Sequence, residues 1–168
     1  KKRSYERKDQ FIGQGEMEIE QVYRCLPFLA KEKENLEAYM NQQLSRKMDR
    51  SLSVAFYDVT TYYFESVAAD DLAKFGYSKD NKVNQVQVVM GLLIDQAGIP
   101  ISYSLFPGNT SDFKTLIPVM KDLKKRYGIT KMILTADREL NSGENLAFLK
   151  AEGFDYVVGF KVRSASQS

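Results

Sequence analysis

Two regimes of hydrophobic spacing divide this chain. From Glu16, Met17, Val22, Leu26 and Leu29 recur near three- and four-residue spacing, that of a helix, and Pro27 is expected to kink or break it. Leu36, Tyr39, Met40, Leu44 and Met48 share one face of a second predicted helix, Glu32 to Met48. Its other face carries Lys33, Glu37, Arg46 and Lys47 and reads as solvated, with a DNA contact as the alternative. After Arg50 the period shortens. Leu52 to Glu65 is mostly β-branched and aromatic, the composition of a strand. Its apolar start, Val54 to Tyr57, suits a strand buried on both faces and ending at Asp58.

Ser66 to Asn84 is polar and reads as a loop with room for one helical turn. Gln85 to Asp95 and Ile99 to Phe106 are strands on either side of a tight connection, which predicts a β-hairpin. Pro107 to Asp112 is a turn, with Ser111 or Asp112 as N-cap of a helix. That helix carries Leu116, Ile117, Met120, Leu123 and Tyr127 and ends at Gly128. Lys131 to Ala136 is a short buried strand running into Asp137; a helix from Asn141 to Lys150, a Gly153 cap and a strand from Phe154 to Phe160 follow. Helices, then β-β-β, then α-β-α-β imply a mixed sheet flanked by helices, antiparallel at first and parallel at the end. The expected divisions are an N-terminal helical segment at 1–50, an α/β core at 51–163 and a tail at 164–168.

Composition narrows the chemistry. At 43% hydrophobic, 168 residues can bury a core of one domain. The net charge is +2, so any basic surface must be local. A single cysteine, Cys25, excludes internal disulfides and fits a reducing compartment. No signal peptide or apolar span of membrane length is visible, which points to the cytoplasm, or the nucleus of a compartmented cell. The absence of histidine removes Ser-His-Asp and Cys-His catalysis and makes a structural zinc site a poor fit. Carboxylates, Lys, Tyr or a hard metal ion must then carry any reaction, and carboxylates suit Mg²⁺ or Mn²⁺.

Asp58 is read as ending the first strand, and Asp137 as ending the first strand after the long helix. If the Lys131 strand lies beside the Val54 strand and parallel to it, both emerge at one sheet end, where open α/β sheets hold ligands. Two carboxylates there repel unless a divalent cation lies between them. Such a site belongs to metal-assisted phosphoryl transfer. An Asp at a strand end that merely bonds Thr60 or Thr61 is the plainer reading of Asp58.

Four stretches resemble the DDE transposases of bacterial insertion sequences, especially the family-four group. They are Phe56-Tyr-Asp-Val-Thr-Thr-Tyr-Tyr-Phe-Glu65, Gly76-Tyr-Ser-Lys-Asp80, Leu105-Phe-Pro-Gly-Asn-Thr-Ser-Asp112 and Thr135-Ala-Asp-Arg-Glu-Leu-Asn-Ser-Gly-Glu-Asn-Leu146. The likeness covers roughly residues 50 to 163. It implies a ribonuclease-H-like core in a bacterial cytoplasm, with Asp58 and Asp137 as the first two members of a Mg²⁺- or Mn²⁺-binding catalytic triad. It implies hydrolysis of DNA at transposon ends and strand transfer into target DNA, with transposon-end and target DNA as partners and a homodimer as a possible assembly. A non-catalytic transposase remnant, or an unrelated α/β domain binding a phosphorylated ligand, are the rival readings.

The resemblance has two departures. Glu139 stands where the family has glycine, and a turn needing positive φ would resist it. The family's third acid lies on a helix beyond the last core strand and is expected to be missing from this chain. Glu139, Glu144 and Glu152 are the nearby substitutes. The fragment is therefore expected to be inactive alone, with part of its sheet uncovered. Thr60 and Thr61 are expected to bond the backbone or orient Asp58, with a DNA contact as the alternative. Lys79, Lys82 and Arg138 are candidates to meet DNA phosphates, against ordinary surface charge. Asn109 and Asp112 are expected to shape their turn and cap a helix, with a place at the active-site rim as the alternative; Tyr62, Tyr63 and Phe64 are expected to pack in the core, with stacking on bases as the alternative, and Glu65 to face solvent.

Overall fold

A computed structural model describes residues 2–10, 18–48, 50–65, 68–76, 85–129 and 131–160. The chain forms two compact units, Lys1–Gln43 and Leu44–Ser168. The first is helical: α1 is Lys2–Glu6, α2 is Ile19–Lys31, and α3, Lys33–Lys47, runs on past the unit's end. Pro27 lies inside α2, which continues through it to Lys31, so the expected break does not occur. Proline removes one N–H and crowds one carbonyl, and helical bonds on either side can carry the chain past it. Leu36, Tyr39, Met40 and Met48 are exposed although they share the predicted stripe. No helix among the described residues is long and apolar enough to cross a membrane.

The second unit is a six-stranded mixed sheet with helices on one face. Its strands are β1 Val54–Phe64, β2 Lys74–Phe75, β3 Val86–Asp95, β4 Pro100–Pro107, β5 Ile133–Ala136 and β6 Asp155–Val158. The sheet order is β2-β3-β1-β5-β6, with β4 also beside β3. β1 with β3 and β3 with β4 are antiparallel, whereas β5 lies parallel to both β1 and β6. This is the mixed sheet, antiparallel at first and parallel at the end, that the element order implies. β2 falls in the stretch read as a loop with a helical turn: among its described residues a two-residue strand forms instead.

Helix α4, Leu116–Tyr127, places Leu116, Val119, Met120 and Leu123 on one stripe and buries all four. They pack with Ala55, Tyr57, Leu93, Ile101 and Leu134 of the sheet and with Leu149 of α5, Gly143–Ala151. Full burial of each such leucine contributes roughly 1.5–3 kcal/mol. Gly128 takes φ 63° at the end of α4, a left-handed conformation in which a side chain is disfavoured.

β1 is buried on one face only, against the two-sided burial expected of its apolar start. Ala55 and Tyr57 are buried, whereas Phe56 is 39% exposed and Asp58 is exposed. The opposite sheet face also exposes Tyr62, Phe64, Tyr103, Leu105, Ile133 and Val157. Tyr62 and Phe64 are therefore surface residues, a correction to the core packing expected of them; Glu65 faces solvent as expected. Strand residues alternate between faces, so β1 exposes every second side chain, whereas Val86 and Val88 of β3, on the same face, are buried.

Candidate metal centre

The parallel pairing of β1 and β5 builds the site. Their last register pair is Tyr57 with Ala136. Asp58 and Asp137 are each the next residue, so they occupy neighbouring positions on strands that run roughly 4.7–4.9 Å apart. Both line a cleft of about 260 Å³ together with Phe56, Leu92, Ile94 and Thr135. Asp137 follows the end of β5, but Asp58 does not end β1. It pairs with Leu92 of β3, and β1 continues to Phe64. The pairing with β5 is what stops at this level, because the chain turns away after Ala136. Both carboxylates are exposed on the open face, so neither carries the cost of a buried charge.

Local hydrogen bonds hold the Asp137 loop. Asp137 Oδ1 accepts the Arg138 backbone N–H at 2.6 Å and caps a 3-10 turn, Arg138–Leu140. The Asp137 carbonyl accepts the Leu140 N–H at 3.1 Å. Glu139 sits within this right-handed turn, which removes the expected demand for positive φ. The close approach that does require glycine is at Gly159, where a Cβ would lie 2.9 Å from the Arg138 nitrogen.

The remaining sequence candidates separate. The Thr60 hydroxyl lies 3.5 Å from Asp58 Oδ2, a weak orienting contact on the same face. Thr61 points to the other face and lines a second cleft of about 340 Å³ with Asn109, Asp112, Phe113 and Glu139. Arg138 is exposed beside Asp137. Lys79 and Lys82 lie outside the described residues. Glu152 accepts an ion pair from Lys124 at 2.5 Å. Among the described residues, no group of three or more His, Cys, Asp or Glu side chains could hold a metal ion.

Sequence reasoning missed Tyr57. It sits behind Asp58 on the helix-covered face, and its hydroxyl donates to Thr115 Oγ1 at 2.8 Å. Burial is the main cause that pushes the phenol up to about 12; the Thr115 bond opposes this, and the Asp112 and Asp58 charges add to it. Tyr57 therefore stays a protonated donor at neutral pH. Ser111 takes the cap position of a 3-10 turn, Asp112–Lys114, that precedes α4, and Thr115 takes that of α4; neither side chain makes a capping bond, and the Thr115 hydroxyl serves the Tyr57 contact instead. The signal available in the sequence was a tyrosine inside an apolar run, which must find a partner when buried.

The donor chemistry fits a hard divalent cation: two oxygen ligands at adjacent positions, open to water. Mg²⁺ keeps several waters and binds through one or two carboxylates. Because both acids are exposed, Asp58→Asn should change stability by no more than about 0.5 kcal/mol. The same change should remove Mn²⁺ binding. Thermal denaturation in a chelator and a Mn²⁺ titration followed by electron paramagnetic resonance check the two halves; a large drop in melting temperature would make Asp58 structural.

A family model described as "Transposase DDE domain" matches residues 49–167. No curated protein matches the sequence. Among solved structures, the Mos1 transposase paired-end complex with the left transposon end is 15% identical, with a TM-score of 0.42. The alignment covers 87% of this chain and 45% of that one. The catalytic domain of Mos1 mariner transposase is 15% identical at a TM-score of 0.40, covering 84% and 62%. A piggyBac transposase synaptic complex with hairpin DNA is 14% identical at 0.43, covering 69% and 24%. The chain thus spans less than two thirds of the length of each of these solved chains.

Proposed function

We propose a function from one premise: this chain belongs to the transposase DDE domain family. Our reading is that it forms the part of a transposase core that supplies the first two metal-binding acids, Asp58 and Asp137. One observation carries it. The parallel register of β1 and β5 brings to one cleft two aspartates that lie far apart in sequence. The bacterial insertion-sequence setting, the family-four grouping and the cytoplasmic location remain parts of this proposal, resting on the motif likeness.

A bound Mg²⁺ or Mn²⁺ would supply Lewis-acid stabilisation of phosphoryl oxygens and an activated oxygen nucleophile. The chain's own residues do the positioning. Asp58 is held by the antiparallel pairing of β1 with β3, and Asp137 by its bond to the Arg138 N–H. Thr60 steadies the Asp58 carboxylate. Arg138, exposed beside Asp137, is the cation offered to a DNA phosphate, and Thr61, in the second cleft on the other face, is the weaker candidate contact. The substrates on this reading are transposon-end and target DNA, and the steps are hydrolysis of a phosphodiester and attack by the freed 3′-hydroxyl.

Two-metal phosphoryl transfer needs enough ligands to hold ions in line with the attacking and leaving oxygens. The described residues offer two grouped acids, so we place the third outside them. The 168-residue chain alone is then expected neither to nick a supercoiled plasmid nor to join matched transposon ends in Mg²⁺ or Mn²⁺. Nicking that disappears in Asp137→Ala would overturn this and give a local acid such as Glu139 the third place.

A further inference from the structure

Three buried side chains that are not themselves candidate metal ligands are linked in one run through the Asp112–Phe113 turn. The Tyr57 hydroxyl donates to Thr115 Oγ1 at 2.8 Å, and Thr115 Oγ1 donates to the Asp112 carbonyl at 2.6 Å. One residue further along, the Phe113 carbonyl accepts Asn145 Nδ2 at 2.9 Å. The same Nδ2 donates to the Leu140 carbonyl at 2.8 Å. Tyr57, Thr115 and Asn145 are 2%, 0% and 1% exposed, so water cannot replace these bonds in place.

The two ends of this run matter. Tyr57 immediately precedes Asp58 on β1, and Leu140 closes the 3-10 turn that Asp137 caps. β1 and β5 stop pairing at Tyr57 and Ala136, so above that level no ladder bond joins the two acids' strands. We infer that Tyr57, Thr115 and Asn145 are positioning residues: through the Asp112–Phe113 turn they fix the Asp137 loop against β1 and so set the spacing of the two carboxylates. This rests on the reading of Asp58 and Asp137 as metal ligands, and it adds the device that keeps them in register without touching the ion. Buried polar groups in such a run are costly to leave unmatched, so each bond selects one arrangement of the loop.

The test uses the full chain with Tyr57→Phe, Thr115→Val and Thr115→Ser, and Leu123→Val as a core control. Two quantities are read: amide hydrogen exchange at Leu140 and Asn141, and Mn²⁺ affinity by electron paramagnetic resonance. Thr115→Val and Tyr57→Phe should speed exchange at Leu140 and Asn141 at least tenfold and weaken Mn²⁺ binding at least tenfold. Thr115→Ser, which keeps the hydroxyl, should restore both to within about threefold of wild type. Leu123→Val should lower the melting temperature without moving either readout. Should Thr115→Val fail to fold, Tyr57→Phe, which removes only one hydroxyl, carries the test. Unchanged exchange at Leu140 and Asn141 in folded variants would overturn the bridge. Failure of the wild-type chain to bind Mn²⁺ would overturn the metal reading instead, while the exchange arm still decides whether the bridge holds the loop.

Discussion

Replacing Arg50 with alanine is expected to destabilise the second unit by about 3–5 kcal/mol, the range for breaking a buried ion pair from one side. Arg50 Nε donates to Asp95 Oδ2 at 2.5 Å, with side chains only 2% and 1% exposed. Arg50 Nη2 also donates to the Pro100 carbonyl at 3.1 Å, so one guanidinium ties the lead-in to β1 to the β3–β4 hairpin. Asp95 Oδ1 accepts the N–H groups of Ala97 and Ile99, each at 2.9 Å. Alanine would leave a buried carboxylate with those two neutral donors alone. Burial pushes Asp95 up, but the Arg50 bond, the Ile99 and Ala97 N–H donors and the guanidinium charge together outweigh it and hold it below its ordinary value. The sign follows. A depressed folded value gives stability that is present above the unfolded value, 3.8, and is lost as pH falls through the folded one. Urea denaturation of wild type and Arg50→Ala at pH 7 and at pH 3 should show a gap that narrows in acid. A gap below about 1 kcal/mol at pH 7 would remove Arg50 as an anchor of the hairpin.

Gly91→Ala is expected to cost about 2–4 kcal/mol, although it adds one methyl group. A Cβ at Gly91 would lie 2.1 Å from the Tyr57 hydroxyl oxygen and 2.8 Å from its Cζ. Tyr57 is buried and bonded to Thr115, so its ring cannot swing clear cheaply. Overpacking of this kind costs about 1–3 kcal/mol. Forfeiting the Tyr57–Thr115 bond adds about 1 kcal/mol or more, because both hydroxyls are buried. The double variant Gly91→Ala with Tyr57→Phe should recover part of the loss, since the nearest clashing atom is gone while the ring carbons stay. Equal stability of Gly91→Ala and wild type in a denaturant titration would refute the packing described for Tyr57.

Much of the architecture was legible because strand and helix periods are local properties. The apolar runs of β3 and β4 around Gln96-Ala-Gly-Ile-Pro100 give a hairpin, and the stripe Leu116, Met120, Leu123 gives α4. Element order implied a sheet that turns parallel at its end and left the β1–β5 partnership as a condition, which the register meets. What the sequence could not give was which side of the sheet would be covered. Val54 to Tyr57 reads as a doubly buried run, yet Phe56 and Asp58 share the open face, because burial depends on what packs above a strand. Tyr62 and Phe64 misled for the same reason, since aromatic residues suit either face of a pleated strand. Thr115 and Asn145 were invisible as partners: threonine before a helix and asparagine in a helix's first turn have ordinary local roles. Their contacts with Tyr57, Phe113 and Leu140 come from segments far apart in the chain.

The most direct test of the central claim is an anomalous diffraction map of the chain crystallised with Mn²⁺. The prediction is one ion in the cleft, bound by an oxygen from Asp58 and an oxygen from Asp137 at about 2.0–2.3 Å, with waters completing its shell. An empty cleft at saturating Mn²⁺, or an ion held by one of these aspartates without the other, would contradict it.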